Sequence, residues 1–269
     1  MKKVRFVIVI LVYRNIEDLE ECLFSIQEKI PDHKSIVVNS YYDEESKNKA
    51  WEVAQKYDSD FINTENKGYS FGNNKGIEYA LQKYNFDSLI VSNPDIVIQS
   101  FFIDKMQRKY TDVILAPTII TASGKNQNPM AVKKNRGIEY IKYLGFKKDC
   151  KWIVYFGILL SKISRSISVK RNQLKGDKDF KIYAAHGSFV ILGKEALEKL
   201  YPIYDEKMFL FAEENVLAYK AREKNIETYF TKYIVVKHKE DGSMKLSDLS
   251  LSSELRKSNI YYYETYIKK

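Results

Sequence analysis

The stretch Ser88-Leu89-Ile90-Val91-Ser92-Asn93-Pro94-Asp95 is the starting point for predicting the fold, because an apolar run of strand length ends directly in turn-forming residues. A second apolar run, Val7-Ile8-Val9-Ile10-Leu11-Val12, lies near the start of the chain. Between the two runs, strand-like segments at 35–39 and 60–63 alternate with helical segments at 17–29, 44–57 and 70–84. This alternation predicts an α/β fold with a mostly parallel sheet flanked by helices.

The second half of the chain is less regular. Its apolar spacing predicts strands at 113–116, 186–192 and 226–236, and helices at 194–200, 213–224 and 252–268. No linker-like composition divides the sequence, so we expect a single domain over residues 1–269. Within it we distinguish two halves, 1–100 and 101–244, a basic helical insertion at 125–181 and a helical C-terminal tail at 245–269.

The composition excludes several protein classes. Apolar residues make up 45% of the 269 residues, which is typical of a globular chain rather than a disordered one. Two cysteines, Cys22 and Cys150, are too few for a disulfide-rich scaffold or a cysteine-based zinc cluster. The first apolar run lacks a small-residue cleavage site, and we find no apolar stretch long enough to span a membrane. We therefore expect a cytoplasmic protein.

Positive charge is concentrated in the insertion. The chain has a formal net charge of +9, whereas residues 125–181 alone have 15 basic and 4 acidic residues, so the remainder is slightly negative. Such a segment favours an anionic partner: a nucleic acid, a membrane surface or a phosphorylated substrate. The alternative is a solvated lysine-rich surface.

Polar residues follow the predicted parallel strands at the edge where α/β proteins bind ligands. Asp95 directly follows a strand, and its carboxylate suits Mg²⁺ or Mn²⁺, although Asn93-Pro94-Asp95 also fits an ordinary turn. Residues 66–74 form a glycine- and asparagine-rich segment that leads into a helix. Its backbone amides suit an anion or a sugar, although an ordinary helix start has the same composition.

Two acidic pairs enclose an apolar run in the second half. Asp205-Glu206 and Glu213-Glu214 lie on either side of Met208-Phe209-Leu210-Phe211. Burial beside aromatic residues raises the pKa of a carboxyl group towards that of a general base, whereas acidic residues in a first helical turn also favour the helix dipole. His238 follows a predicted strand and is either a metal or phosphate ligand or a surface histidine.

Five motifs occur in the order and spacing of one known family. They are Val9-Ile10-Leu11-Val12-Tyr13-Arg14-Asn15, the segment 66–76, Ser92-Asn93-Pro94-Asp95, the segment 205–214, and His238 with Gly242-Ser243. On these motifs the chain resembles the family 2 glycosyltransferases of the GT-A fold, in particular the bacterial rhamnosyltransferase-like enzymes that build capsule, O-antigen and cell-wall polysaccharides. It departs from the family pattern at Asn39 and Glu214, where the family has aspartate, and at Gly187-Ser188-Phe189.

The resemblance implies a Rossmann-like GT-A fold and an inverting, metal-dependent sugar transfer. The donor would be dTDP-rhamnose or a UDP-sugar, and the acceptor a hydroxyl of a growing, lipid-linked capsule or cell-surface polysaccharide. An inactive partner subunit of such a pathway is the alternative. By resemblance, Glu214 with Glu213 would be catalytic, and Asp95 with His238 would bind a divalent cation, Mn²⁺ or Mg²⁺.

The resemblance also implies the remaining contacts. The nucleotide sugar would contact Tyr13, Arg14, Asn15, Asn39, Lys67, Gly68, Phe71, Asn74 and Asn93. The acceptor side would include Gly187, Ser188, Asp205 and Glu206.

The insertion suggests where such an enzyme would work. The apolar-aromatic run 152–160 has basic residues on both sides, a pattern found at membrane interfaces. We expect residues 149–175 to dock on an anionic surface, the inner face of the plasma membrane, where a polyprenyl-diphosphate-linked glycan would be the acceptor. The alternative is a helix pair that covers the active site or forms an oligomer interface. The tyrosine-rich segment 261–266 makes a homodimer possible, and the absence of a recognisable nucleic-acid module argues against nucleic acid.

Overall fold

A computed structural model describes residues 2–106, 109–174, 179–240 and 250–268. Residues Gly242 and Ser243 of the fifth motif lie outside the described residues. The first half contains β1 (Lys2–Lys3), β2 (Phe6–Val12), α1 (Ile16–Lys29), β3 (His33–Ser40), α2 (Glu44–Lys56), β4 (Asp60–Thr64), α3 (Tyr69–Lys83), β5 (Tyr84–Asn85), β6 (Ser88–Ser92) and β7 (Ile96–Phe101).

The second half begins with β8 (Ile114–Thr121) and the helices α4 (Arg136–Lys147) and α5 (Lys151–Leu174). It continues with β9 (Asp179–Ile182), β10 (Phe189–Gly193), α6 (Lys194–Leu200), α7 (Glu213–Glu223) and β11 (Thr228–His238). The last helix is α8 (Leu251–Tyr262), which a π-helical turn extends over Tyr263–Ile267.

Nine strands form one sheet in the order β4-β3-β2-β6-β10-β8-β11-β7, with β9 paired to β11. The predicted α/β class is confirmed, and β4, β3, β2 and β6 are parallel as expected. The second half makes the sheet mixed, because β10 runs antiparallel to both of its neighbours. This direction brings Ser188, just before β10, to the carboxyl end of β6, where its carbonyl accepts a hydrogen bond from the Asn93 amide at 2.8 Å.

Helices cover both faces of the sheet, which explains the unbroken apolar run of β2. Phe6, Ile8 and Ile10 belong to one buried cluster, together with residues of α1 and α2. Val7 and Val9 belong to the other cluster, together with residues of α3 and α6. A strand that is buried on both faces needs apolar residues at every position.

Most of the basic insertion is helical, as predicted, in α4 and α5, whereas its last residues, 179–181, belong to strand β9. Helices α4 and α5 form a hairpin, and α4 also contacts the C-terminal segment, where the Tyr143 hydroxyl donates to Glu264 Oε1 at 2.7 Å. Helix α5 corrects one expectation. It is long and apolar enough to cross a membrane, with a mean hydropathy of 1.3 over 18 residues and 6% of that window buried. The sequence analysis missed it because the apolar run ends at Ser161-Lys162, whereas the helix continues to Leu174.

Candidate active site

A cleft of about 590 Å³ opens at the carboxyl ends of β2, β3 and β6. Its position matches the edge at which α/β sheets bind ligands. The cleft brings together nine of the residues predicted from the sequence: Tyr13, Gly68, Asn93, Asp95, Gly187, Ser188, Glu213, Glu214 and His238.

Asp95 and His238 are paired inside the cleft. Strand β11 pairs with β7 so that His238 lies opposite Ile96, directly beside Asp95. Asp95 is only 4% exposed, and its Oδ2 lies 3.2 Å from His238 Nε2. Its buried Oδ1 has no hydrogen-bond partner within the part of the chain that the structure describes. This oxygen is therefore available to accept a polar ligand.

Gln127 determines which nitrogen of His238 faces the aspartate. Its Nε2 donates to Glu240 Oε1 at 3.0 Å, so its Oε1, 2.7 Å from His238 Nδ1, accepts the proton of that nitrogen. In the neutral imidazole, Nε2 then turns a lone pair towards the carboxylate of Asp95. Two acceptors at this distance repel each other unless a proton or a cation lies between them.

The pair fits a divalent cation through this donor set of carboxylate oxygen and imidazole nitrogen. The described residues contain no group of three or more histidine, cysteine, aspartate or glutamate side chains placed to hold a metal ion. Mg²⁺ and Mn²⁺ sites commonly take water and substrate phosphate as further ligands. Asp95 and His238 would thus hold such a cation together with a phosphorylated substrate.

Gln127 is a site residue that the sequence analysis missed. It belongs to the run Asn126-Gln127-Asn128, in which each amide side chain makes a specific bond. Asn128 Oδ1 accepts from the His186 amide at 2.8 Å, and Asn126 Oδ1 accepts from the Ile119 amide at 3.1 Å. Three consecutive amide side chains after a strand were the available signal.

His186 is a second histidine of the cleft. Its ring centroid lies 5.8 Å from that of His238. Its Nδ1 accepts from the Ser188 amide at 3.2 Å, and burial, together with nearby His238, lowers its pKa to about 4. His186 is therefore neutral at physiological pH.

Glu213 and Glu214 begin helix α7 after a strained turn. The two preceding residues, Phe211 and Ala212, have φ values of 74° and 67°. This left-handed conformation costs a non-glycine residue about 1–2 kcal/mol. The turn directs both glutamates into the cleft, and strain of this kind is concentrated at functional sites.

The two glutamates differ in exposure. Glu213 is 5% exposed, and its Oε1 has no hydrogen-bond partner among the described residues. Burial first, and then the neighbouring Glu214, raise the pKa of Glu213. Burial also raises the pKa of Glu214, whose side chain is only partly buried. Glu214 is the better placed of the two to take a proton from a molecule in the cleft.

Two glycines of the cleft, Gly187 and Gly68, lie in close contact with neighbouring residues. The position of a Cβ atom on Gly187 lies 3.2 Å from Glu214 Cγ. The hydroxyl of Tyr69 lies 3.1 Å from the Gly187 carbonyl and 3.2 Å from Asn93 Oδ1. Gly68, at φ 97°, packs against the backbone of Phe209, whose carbonyl accepts from the Tyr69 amide at 2.8 Å.

Six of the predicted donor-binding residues do not line the cleft: Arg14, Asn15, Asn39, Lys67, Phe71 and Asn74. Arg14 stacks on Tyr42, and Asn15 precedes α1 and donates to Asp18. Asn39 is buried and donates to Asn63 Oδ1 at 2.7 Å. Lys67 pairs with Glu65 at 2.7 Å and lies over the ring of Phe71.

The remaining predicted residues brace the segment that leads to the glutamates. Asn74 is buried and donates to Glu206 Oε1 at 3.0 Å and to the Tyr204 carbonyl at 3.1 Å. Asp205 Oδ2 accepts from the hydroxyls of Tyr261 and Tyr266 at 2.8 and 2.6 Å. The structure therefore gives Asn74, Asp205 and Glu206 bracing contacts outside the cleft lining.

A comparison with solved structures identifies the fold. The chain superposes on a structure of GalNAc-T7 with UDP, GalNAc and Mn²⁺ with a TM-score of 0.64. The match covers 97% of this chain and 48% of that chain, at 14% identity. The chain has the GT-A glycosyltransferase fold. The fold predicted from the sequence is thus confirmed.

The sequence is similar to a curated hexosyltransferase. It is 26% identical over 164 residues to the low-salt glycan biosynthesis hexosyltransferase Agl10 of Haloferax volcanii. The match covers 60% of this chain and 45% of that protein, so the chain spans less than half of the length of either relative. No family model matches the chain.

Proposed function

We propose that this protein is a glycosyltransferase that moves a sugar from a nucleotide-sugar donor to a hydroxyl group of a glycan acceptor. The observation that carries the proposal is the arrangement of the cleft. A candidate cation pair, Asp95 and His238, and a candidate base pair, Glu213 and Glu214, line the same cavity of a GT-A fold. The similarity to a hexosyltransferase supports it.

Asp95 and His238 would hold Mn²⁺ or Mg²⁺ against the donor diphosphate. When bound, the cation offsets the negative charge that builds up on the leaving nucleoside diphosphate. Tyr13, Gly68 and Asn93 line the same cavity and would contact the nucleotide sugar. The donor is a dTDP- or UDP-sugar in this proposal.

Glu214 would remove the proton of the acceptor hydroxyl. The oxygen would then attack the anomeric carbon from the face opposite the diphosphate, which inverts the configuration of the sugar. Burial raises the pKa of Glu214 and so makes it a stronger base, and burial together with Glu214 raises the pKa of the neighbouring Glu213. The acceptor is a growing, lipid-linked cell-surface polysaccharide in this proposal.

A thermal-shift panel tests the donor site. The protein is mixed with Mn²⁺ and with UDP, dTDP, GDP or CDP, as wild type, as Asp95→Ala and as the control Asp87→Ala, an exposed aspartate outside the cleft. We expect one nucleotide to raise the midpoint in wild type and control but not in Asp95→Ala. No shift with any nucleotide, or an equal shift in all three proteins, would contradict the proposal.

A further inference from the structure

Helix α5 exposes an apolar stripe along one face, which the exposed Lys170 interrupts before Leu174. The stripe consists of Trp152, Tyr155, Phe156, Leu159, Ile163, Ile167 and Leu174. At 100° per residue, these seven side chains occupy about one third of the helix circumference. Trp152 is 82% and Leu174 is 89% exposed. Contiguous apolar patches of this kind mark interaction surfaces in proteins.

The opposite side of α5 holds the helix in place. The position of a Cβ atom on Gly157 lies 2.6 Å from Lys142 Cγ of α4, and that on Gly145 of α4 lies 2.7 Å from Val154 Cγ2. Arg165 donates to the backbone carbonyl of Asn126. Because this side is packed and hydrogen-bonded, the apolar stripe points away from the protein.

Positive charge borders the stripe and, at Lys170, lies within it. Helix α5 has five basic residues and no acidic one: Lys151, Lys162, Arg165, Lys170 and Arg171. Lys162 and Arg171 lie on opposite edges of the stripe, as the helical period requires. None of Lys151, Lys162, Lys170 and Arg171 forms an ion pair with another described residue. The complementary partner is therefore apolar at its centre and anionic at its surface.

This charge pattern disfavours two alternatives, a second copy of the chain on the stripe and a membrane-spanning arrangement of α5. A second copy of the chain would bring two helices of charge +5 together, with no acidic residue of α5 to offset them. A membrane-spanning arrangement would place Lys162 and Arg165 near the bilayer centre, at a cost of about 2.5–3.5 kcal/mol for each charge. It would also remove Arg165 from Asn126 and α5 from α4.

We propose that the apolar stripe of α5 is a docking surface for an anionic lipid bilayer, on which the helix lies parallel to the membrane plane. Trp152, Phe156 and Leu159 enter the acyl boundary, and the lysines and Arg171 meet the lipid headgroups. The observations behind this docking are independent of the chemistry in the cleft, so it stands or falls separately from the sugar transfer.

The packed side of α5 lies next to the wall of the cleft. Arg165 contacts Asn126, and the next residue, Gln127, orients His238 in the cleft wall. One residue thus separates the docked helix from the cleft wall.

The first test is flotation of the full chain with vesicles of phosphatidylcholine, with and without phosphatidylglycerol. We expect wild type to float only with the anionic vesicles. The variant Trp152→Ser/Phe156→Ser/Leu159→Ser should bind at least tenfold more weakly at an unchanged melting temperature, since these side chains are exposed. The matched control is Phe24→Ser/Trp51→Ser/Phe102→Ser, which removes three similarly exposed aromatic residues elsewhere and should bind like wild type.

Charge is tested in the same assay. Lys162→Gln/Lys170→Gln/Arg171→Gln should lose anionic binding, whereas Lys29→Gln/Lys199→Gln/Lys224→Gln, on other exposed surfaces, should retain it. Equal flotation of all variants, or no flotation of wild type, would overturn the proposal. So would a change from dimer to monomer in the α5 apolar variant, measured by light scattering, because it would show that a second copy covers the stripe.

The orientation of α5 is tested by fluorescence. In the background Trp51→Phe/Trp152→Phe, the substitution Ile163→Trp places one tryptophan in the middle of the helix. Lipids brominated at different depths should quench it near the headgroup boundary, about 5–10 Å into the leaflet. Strongest quenching at the bilayer midplane would mean a spanning helix and would overturn the proposal.

Discussion

A methyl group on Gly187 would lie 3.2 Å from Cγ of Glu214 and 3.7 Å from its Oε1, so the backbone at Gly187 supports the side chain of the candidate base. Gly187→Ala should displace the Glu214 carboxylate by a few tenths of an ångström. Misplacement of this order lowers kcat, and we expect a loss of about tenfold or more. Steady-state kinetics and a melting curve check this.

The control for this change is Gly137→Ala. A Cβ atom on Gly137 would be in ordinary contact with Asn135 only, at 3.4 Å. This variant should keep the wild-type kcat. Equal kcat for Gly187→Ala and wild type would mean that the position of Glu214 does not limit the reaction.

Replacement of the base itself should have a larger effect. Glu214→Gln keeps the shape of the side chain but removes its ability to accept a proton, so kcat should fall by about 10²–10⁴. Nucleotide affinity, measured by calorimetry, should stay within about twofold, since the change does not touch the Asp95 side of the cleft. A kcat close to wild type would exclude Glu214 as the base.

The buried Glu213 makes stability depend on pH. Burial, together with Glu214, raises its pKa to about 8, so the native state binds this proton more tightly than the unfolded state does. The stabilising contribution of this proton to the free energy of unfolding is fully present below the unfolded pKa of about 4.5 and is lost as pH rises towards about 8. Glu213→Gln, which does not titrate, should therefore melt higher than wild type, and the difference should grow between about pH 5 and pH 8. A difference that shrinks over this range would contradict the raised pKa.

Gly68 should not tolerate a side chain. It has φ 97°, and a Cβ atom would overlap the backbone of Phe209. We expect Gly68→Ala to lower the free energy of unfolding by more than about 2 kcal/mol, measured by urea denaturation. Gly124→Ala separates the cost of the positive φ from the cost of the overlap with Phe209. Gly124 also has a positive φ, of 78°, but nothing lies within 4 Å of the added atom. It should cost only about 1 kcal/mol, and equal losses in both variants would rule out the Phe209 contact as a cause.

Gln127 should influence metal affinity although it lies behind the ligand. Gln127→Ala removes the acceptor of His238 Nδ1, which frees the ring to rotate and change tautomer. Loss of such a partner typically weakens metal binding by about 10–100-fold. Titration of Mn²⁺ followed by electron paramagnetic resonance measures this, with Gln55→Ala on the exposed side of α2 as control. Unchanged Mn²⁺ affinity would show that His238 is not a ligand.

The sequence predicts β2, β3 and β6 well because each of them has a short apolar run bounded by polar turn residues. It does not predict β7, because Ile96–Phe101 follows Asp95 without an intervening helix, or β9, which has only four residues. The antiparallel direction of β10 also escapes prediction. It depends on pairing with Ser88–Ser92, nearly one hundred residues away, and not on any local pattern.

For the site, local sequence identifies residues that directly follow parallel strands, such as Asn93 and Asp95. It fails where the partner lies far away in the sequence. Asn74 resembles a ligand-binding residue, but its amide is engaged by Tyr204 and Glu206, about 130 positions later. Gln127 shows the reverse error, since its contact with His238 spans 111 positions and the run of three amide side chains around it does not indicate that partner.

The segment 205–212, which leads to Glu213, is held by residues that precede it in the sequence and by residues that follow it. Gly68 and Asn74 hold it from one side, while Tyr261, Tyr266 and Ser258, which donates to the Leu210 carbonyl at 2.7 Å, hold it from the other. In chimeras made from related proteins, an exchange of α3 or of the C-terminal helix alone would break half of these bonds. A functional hybrid must inherit α3, the segment 205–212 and α8 from the same parent.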